Sequence, residues 1–248
     1  MLLRTVVKDC LYVNWALPRA LLPPLPEGLR YEVHSAADGS YGFVSALLFR
    51  QSGLRLSGMP WVRVSHPQLN VRLYVVDQEG VPSVLFRALI VPRWVLPLAQ
   101  ATVRQSLACG RFRYPRPSRD TGAASWTWRA AASGGLEVSG SQGGPAVGAG
   151  PDLGSWQQTC DYFRRRDRGY LAMGGRLRRI ETSHTAVSVW PMQIELRDDA
   201  LLRQLLDLDS AASWPALHSS WLCPEIPLSF ELGGAADSRL PSQVPAPG

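Results

Sequence analysis

The sequence predicts an α+β fold, mainly antiparallel β, in which a curved barrel-like sheet carries two or three helices on its outside. Three observations lead there. Short runs of β-branched and aromatic residues recur along the chain, βαβ alternation is absent, and Asp77-Gln78-Glu79-Gly80 separates two strand-like runs as a hairpin turn does. With 248 residues, 46% hydrophobic and 19% charged, the chain can bury a sizeable core. One domain over 1–232 is the simplest division, with 233–248 as a flexible tail.

Leu11 to Trp15 reads as a short strand, and Pro18 to Leu22 as a helical turn closed by Pro23, Pro24 and Pro26. The chain turns back over Gly28 to His34, and Tyr41 to Phe49 is a strand bounded by Gly39 and Gln51-Ser52-Gly53. A loop through Met59-Pro60-Trp61 leads to the hairpin, whose register is legible. His66, Gln68, Asn70, Arg72 and Tyr74 share one face, and Pro67, Leu69, Val71, Leu73 and Val75 the other. Ser83 to Val91 is apolar on both parities apart from Ser83 and Arg87, which suits a strand covered on both sides.

Pro97 starts an amphipathic helix (Leu98, Ala101, Leu107) that Gly110 stops. Strands resume at Arg111 to Tyr114 and Ser125 to Arg129. Ala130 to Gly154, dominated by Gly, Ser and Ala, reads as a flexible excursion with one short strand at Leu136-Glu137-Val138. Ser155 and Gln158 form a capping box for a helix to about Arg166, with Trp156, Cys160 and Phe163 pointing inward. Leu177 to Ile180 and Ala186 to Trp190 alternate as strands, and Asp198 caps a Leu-rich helix over Leu201 to Leu206. Ser219 to Leu222 and Leu228 to Leu232 close the sheet.

Several functional classes fall away on composition. No apolar run approaches the ~20 residues of a membrane-spanning helix. Met1 to Leu22 carries Arg4, Lys8, Asp9 and Arg19 and lacks an A-x-A cleavage pattern, so the expected location is cytoplasmic. Cys10, Cys109, Cys160 and Cys223 include no C-x-x-C pair, which excludes the usual zinc and thioredoxin spacings; reduced, buried thiols are expected, with no metal and no cofactor. Glu225, Glu231 and Asp237 are too dispersed for a paired-carboxylate site. His184, next to Ser183, lacks a G-x-S-x-G elbow and reads as structural.

The formal net charge is +6, and Arg164, Arg165, Arg166, Arg168, Arg176, Arg178 and Arg179 form a local basic strip. It reads as a solvated helix face; a phosphate-binding strip is the alternative, and nucleic acid is disfavoured because no nucleic-acid-binding motif accompanies it. Tyr162, Arg165 and Tyr170 are placed on that helix, at a cavity mouth or in outer packing.

Several segments together resemble the YqjF-like family of the acetoacetate decarboxylase-like superfamily. They are Trp15 with Leu21-Leu22-Pro23, the strand Asn70-Val71-Arg72-Leu73-Tyr74, Leu96-Pro97 with Ala101, Tyr162-Phe163 to Tyr170, and His184 with Trp190-Pro191. The resemblance implies a curved antiparallel barrel with a central cavity. Acetoacetate decarboxylases use a Schiff-base lysine just after a proline. The corresponding stretch here is Pro97-Leu98-Ala99, and Lys8 is the chain's single lysine, so that chemistry is not carried over. A decarboxylase glutamate falls near Asn70.

The polar strand face is the candidate ligand site: Asn70, Arg72, Tyr74, His66 and Gln68. A guanidinium flanked by an amide and a phenol can hold a carboxylate, and His66 can exchange a proton near pH 7. On a half-exposed strand the same face would look at water, or Arg72 would pair with a structural carboxylate. The expected partner is a small organic acid or carbonyl compound, bound without Schiff-base chemistry; homo-oligomer formation stays open. The alternative is a lysine-independent enzyme of lyase or hydrolase type, with Arg72 as electrostatic stabiliser and Tyr74 or His66 as proton donor.

Overall fold

Two-faced strands interrupted by single-residue bulges are what this sequence builds, and the bulges bend the sheet until it meets itself. The computed structural model describes residues 2–56, 59–97, 108–113, 125–144, 147–148, 150–173, 176–184, 187–209 and 214–239. The helix expected over Leu98 to Leu107, Tyr114, Ala186 and residues 240–248 lie outside them. In chain order the strands are β1 (Leu2–Pro18), β2 (Leu29–Tyr31), β3 (His34–Ala36), β4 (Gly39–Leu56), β5 (Met59–Asp77), β6 (Pro82–Val91), β7 (Ala108–Cys109) and β8 (Arg111–Arg113). They continue as β9 (Ser125–Ala131), β10 (Gly135–Gln142), β11 (Arg168–Met173), β12 (Arg176–His184), β13 (Trp190–Asp198) and β14 (Leu217–Arg239). Helix α1 is Trp156–Arg164 and α2 is Ala200–Leu205, and a 3₁₀ turn spans Arg19–Leu21.

The sheet runs β1-β4-β5-β6-β11-β12-β14, and β14 returns to pair with β1, so these strands form a curved ring. Among the described residues of the ring, only β6 and β11 pair in parallel. Beyond β14 the chain branches through β13, β10, β9 and β8 into a second layer. That layer and α2 cover the outer face of the ring: Leu11, Val13 and Trp15 of β1 and Leu69, Val71 and Leu73 of β5 share one core with Trp128, Leu136, Val138, Leu201 and Leu202. The apolar parity of the hairpin strand is thus the outward, covered one.

Bulges decide which parity faces inward. In β1 the pairing with β4 shifts between Lys8 and Leu11, where Asp9 takes φ 51°, a conformation Asp tolerates better than most residues. In β6 a shift near Arg87 does the same. Inward residues therefore change from Leu3 and Val7 to Cys10 and Tyr12 on β1, and from Val84 and Phe86 to Leu89 and Val91 on β6.

Several strands exceed their sequence boundaries. Met59 to Trp61 is strand rather than loop, β14 is continuous to Arg239 instead of ending at 232, and the alternation at 186–190 gives way to β13 at Trp190–Asp198. The Gly-rich stretch holds β10, paired on both edges with β9 and β13. Its glycines admit a close neighbour: a Cβ on Gly140 would lie 2.8 Å from the Gln193 carbonyl oxygen.

Helix α1 closes one end of the ring. Ser155 accepts from the Gln158 N–H while the Gln158 side chain accepts from the Ser155 N–H, completing the capping box. Cys160 and Phe163 are fully buried, and Phe163 meets the rings of Phe43, Tyr74 and Trp221 at 5.0–5.7 Å.

Asp77 holds the parallel joint. One carboxylate oxygen accepts from the Glu79 and Val81 N–H groups, closing the β5–β6 turn, and the other accepts from Arg168 (2.6 Å) and the Tyr170 hydroxyl (2.8 Å) on β11. Burial works to raise its pKa, and Arg168, the Val81 N–H and Tyr170 together outweigh that, so the carboxyl lies below its ordinary value. A depressed folded pKa contributes stability that is present above about pH 4 and is lost as pH falls further. Asp77→Asn should cost on the order of 1–3 kcal/mol at pH 7 and flatten the acid decline, read from urea midpoints between pH 7 and pH 3.

Candidate ligand pocket

The ring's inward side chains line a pocket of about 250 Å³. Along β5 six alternate residues face it: Val62, Val64, His66, Gln68, Asn70 and Arg72. The register read from the sequence therefore places four of the five candidate residues on one pocket wall. His66, Gln68 and Asn70 are joined side chain to side chain, His66 Nε2 lying 3.2 Å from Gln68 Oε1 and Gln68 Nε2 donating to Asn70 Oδ1 at 2.7 Å. His66 Nδ1 is buried without a hydrogen-bond partner among the described residues. Burial lowers the His66 pKa and the bond to Gln68 opposes it, so the ring is neutral at pH 7.

Tyr74 corrects the fifth assignment. It shares the inward parity but lies where α1 fills the ring, outside the pocket lining. Its hydroxyl lies 3.0 Å from Ser45 Oγ and donates to the Phe163 carbonyl at 3.3 Å, and burial raises its pKa. It anchors α1 through the Phe163 carbonyl.

Arg72 enters the pocket between two rings, its guanidinium carbon 5.4 Å from the centroid of Phe86 and 5.9 Å from that of Tyr12. Gly169 of β11 makes room there, since a Cβ would fall 2.7 Å from the Phe86 ring. No carboxylate pairs with Arg72 among the described residues, and its Nε is buried without a partner. Its positive charge acts to lower the pKa values of Cys10, Tyr12 and Tyr74, against the larger effect of burial, which leaves all three raised. Among the described lining residues there is no Asp, Glu or Lys.

Three further arginines line the pocket: Arg55 of β4, Arg164 and Arg166. Arg164, at the end of α1, donates to the Val187 carbonyl and to Asp161 at 2.9 Å each. Arg166 pairs with Glu32 at 3.0 Å and stands 4.2 Å over the Tyr162 ring. Both are buried, so the expected solvated helix face is wrong for them: α1 ends before Arg166, and the chain turns inward across the ring. Arg168 serves Asp77 and Glu79, and Arg179 serves Glu79 and Glu181. Tyr170 belongs to β11, not to the helix.

Sequence reasoning missed Tyr12, Arg164 and Arg166. Tyr12 was detectable, because Leu11, Val13 and Trp15 alternate with Cys10, Tyr12 and Asn14 as the hairpin strand does. The two arginines carry no such signal.

The described residues contain no group of His, Cys, Asp and Glu able to hold a metal, and no helix long and apolar enough to cross a membrane. Cys10, Cys109, Cys160 and Cys223 are free thiols; burial raises Cys160 and Cys223 to about 12.

Comparison with solved structures bears out the fold. An enduracididine biosynthesis enzyme, MppR, complexed with the condensation product of pyruvate and imidazole 4-carboxaldehyde, is 12% identical with a TM-score of 0.59, covering 95% of this chain and 88% of that one. The same enzyme complexed with pyruvate is 14% identical with a TM-score of 0.57, covering 95% and 90%. An acetoacetate decarboxylase-like enzyme from Sphingomonas wittichii RW1 is 16% identical with a TM-score of 0.53, covering 96% and 92%. No curated protein sequence matches. Residues 5–221 match the family model DUF2071, described as an uncharacterized conserved protein. With its acetoacetate decarboxylase-like fold, the chain belongs to that family.

Proposed function

We propose that this protein binds a small organic acid through its carboxylate at Arg72, without forming a Schiff base. One observation carries the reading: a guanidinium set inside a largely apolar pocket with no counter-ion among the described residues. An uncompensated charge removed from bulk water gains most from a ligand of opposite sign, and a planar guanidinium matches a carboxylate by two parallel hydrogen bonds. Arg164 and Arg166 add to the positive field, although Asp161 and Glu32 answer them. The related fold of an enzyme complexed with pyruvate agrees with an organic-acid ligand in this superfamily. In thermal denaturation, butanoate should raise the melting temperature in proportion to the logarithm of its concentration, whereas butanamide should not. Equal shifts from both would remove the anion from the account.

A lysine-independent enzyme of lyase or hydrolase type is the second reading, favoured by the neutral, partly unpartnered His66 in the pocket wall. Either reading predicts that borohydride in the presence of pyruvate leaves no stoichiometric adduct. Lys8, the single lysine, is half-exposed and pairs with Glu225 away from the pocket lining. Intact-mass measurement checks this, and a one-to-one adduct on Lys8 would refute both readings.

A further inference from the structure

The pocket is longer and more apolar than a short keto acid needs. Its lining follows β5 from Val62 to Arg72, about 30 Å of extended chain. Arg72 lies toward the end that α1 closes, where Tyr12 and Val84 sit among the side chains packed on Phe163. Val62, 43% exposed, marks the open end. Between them the wall opposite β5 is mostly aliphatic and aromatic (Leu171 of β11, Ile180 of β12, and Ile226, Leu228 and Phe230 of β14), with Thr182 of β12 its polar member, and Arg55 of β4 also lines the pocket.

Volume sets the ligand's size. A cavity of about 150 Å³ lined by apolar side chains accepts benzene, with its six carbons. On that scale about 250 Å³ takes roughly ten non-hydrogen atoms, against six in pyruvate. A ligand that filled only the Arg72 end would leave the aliphatic wall facing water.

From this, and resting on the carboxylate reading of Arg72, we infer that the ligand class is an amphipathic monocarboxylate with an unbranched or aromatic tail of about seven carbons. Its head lies on Arg72 and its tail runs along β11, β12 and β14 toward Val62. Asn70, the next inward residue of β5 after Arg72, flanks the tail, and Gln68 and the unpartnered His66 Nδ1 lie farther toward the open end.

Calorimetric titration with butanoate, hexanoate, octanoate and dodecanoate, with octanol as the neutral probe, tests this. Each methylene up to octanoate should tighten binding about fourfold, for roughly two-hundred-and-fiftyfold between butanoate and octanoate, with no comparable gain at dodecanoate. Octanol should bind at least tenfold more weakly than octanoate. Leu89→Trp, on β6 opposite Asn70 and so one inward position beyond the head site, should abolish the advantage of octanoate over butanoate. If butanoate and octanoate bind equally and both depend on Arg72, the tail inference falls and the carboxylate reading stands. Octanol binding as tightly as octanoate overturns the carboxylate reading, and the absence of binding by every probe overturns both.

Discussion

Phe163→Ala is expected to lower stability by about 3–5 kcal/mol, the range for truncating a fully buried phenylalanine. The side chain has no exposure and touches Phe43, Tyr74, Tyr162, Trp221 and His218, so several rings lose a partner at once and cannot collapse on the void together. Phe163 also ties α1 to the ring, since its own carbonyl accepts from the Tyr74 hydroxyl. Loosening α1 displaces Arg164 and, just after the helix, Arg166 from the pocket. Urea denaturation should show the full loss for alanine and about 1–2 kcal/mol for leucine, which keeps most of the volume. A loss below 1 kcal/mol for alanine would mean that α1 does not seal the ring.

Arg72→Met should weaken carboxylate binding by about 2–5 kcal/mol, roughly thirtyfold to several thousandfold, because it removes a charge-assisted, desolvated hydrogen-bonding pair. Stability of the free protein should change by no more than about 1 kcal/mol. The substitution breaks no ion pair among the described residues, and the lost contacts with Tyr12 and Phe86 are offset by removal of a poorly solvated charge. Arg166→Met makes the contrast. It leaves Glu32, 21% exposed at its side chain, without its 3.0 Å partner and removes the cation above Tyr162. A cost of about 2–4 kcal/mol is expected there. Calorimetric titration with octanoate and urea denaturation on both variants separate an arginine kept for a ligand from one kept for the fold. The reverse pattern, with Arg72 costly to stability and irrelevant to affinity, would make Arg72 a structural residue.

How far the site was legible follows from where alternation survives. On the His66 to Tyr74 run it is unbroken, and it placed His66, Gln68, Asn70 and Arg72 on one wall. On β1 the bulge at Asp9 switches the inward parity, so only Leu11 to Trp15 of the Leu2–Pro18 strand stands out as periodic. The capping box at Ser155 was readable because it is a local hydrogen-bond pattern. Burial of Arg166 depends on the chain turning across the ring after α1, and its partner Glu32 is remote in sequence, whereas Asp161 meets Arg164 at the i, i+3 spacing of a helix, which indicates a partner but not burial. Tyr74 had the correct parity and the wrong depth: the end of the ring that receives the helix is a tertiary fact. The glycines of β10 resemble loop composition because a glycine that admits a neighbouring strand and one that bends a turn are the same residue type.

The account rests on a carboxylate reaching the Arg72 guanidinium, and arginine side-chain NMR observes that contact directly. With ¹⁵N-labelled protein, the Nε–H resonance absent from the Arg72→Met spectrum should shift downfield and exchange more slowly on addition of octanoate, saturating at one equivalent, while octanol leaves it in place. An Arg72 signal unmoved by saturating octanoate, or moved equally by octanol, would contradict it.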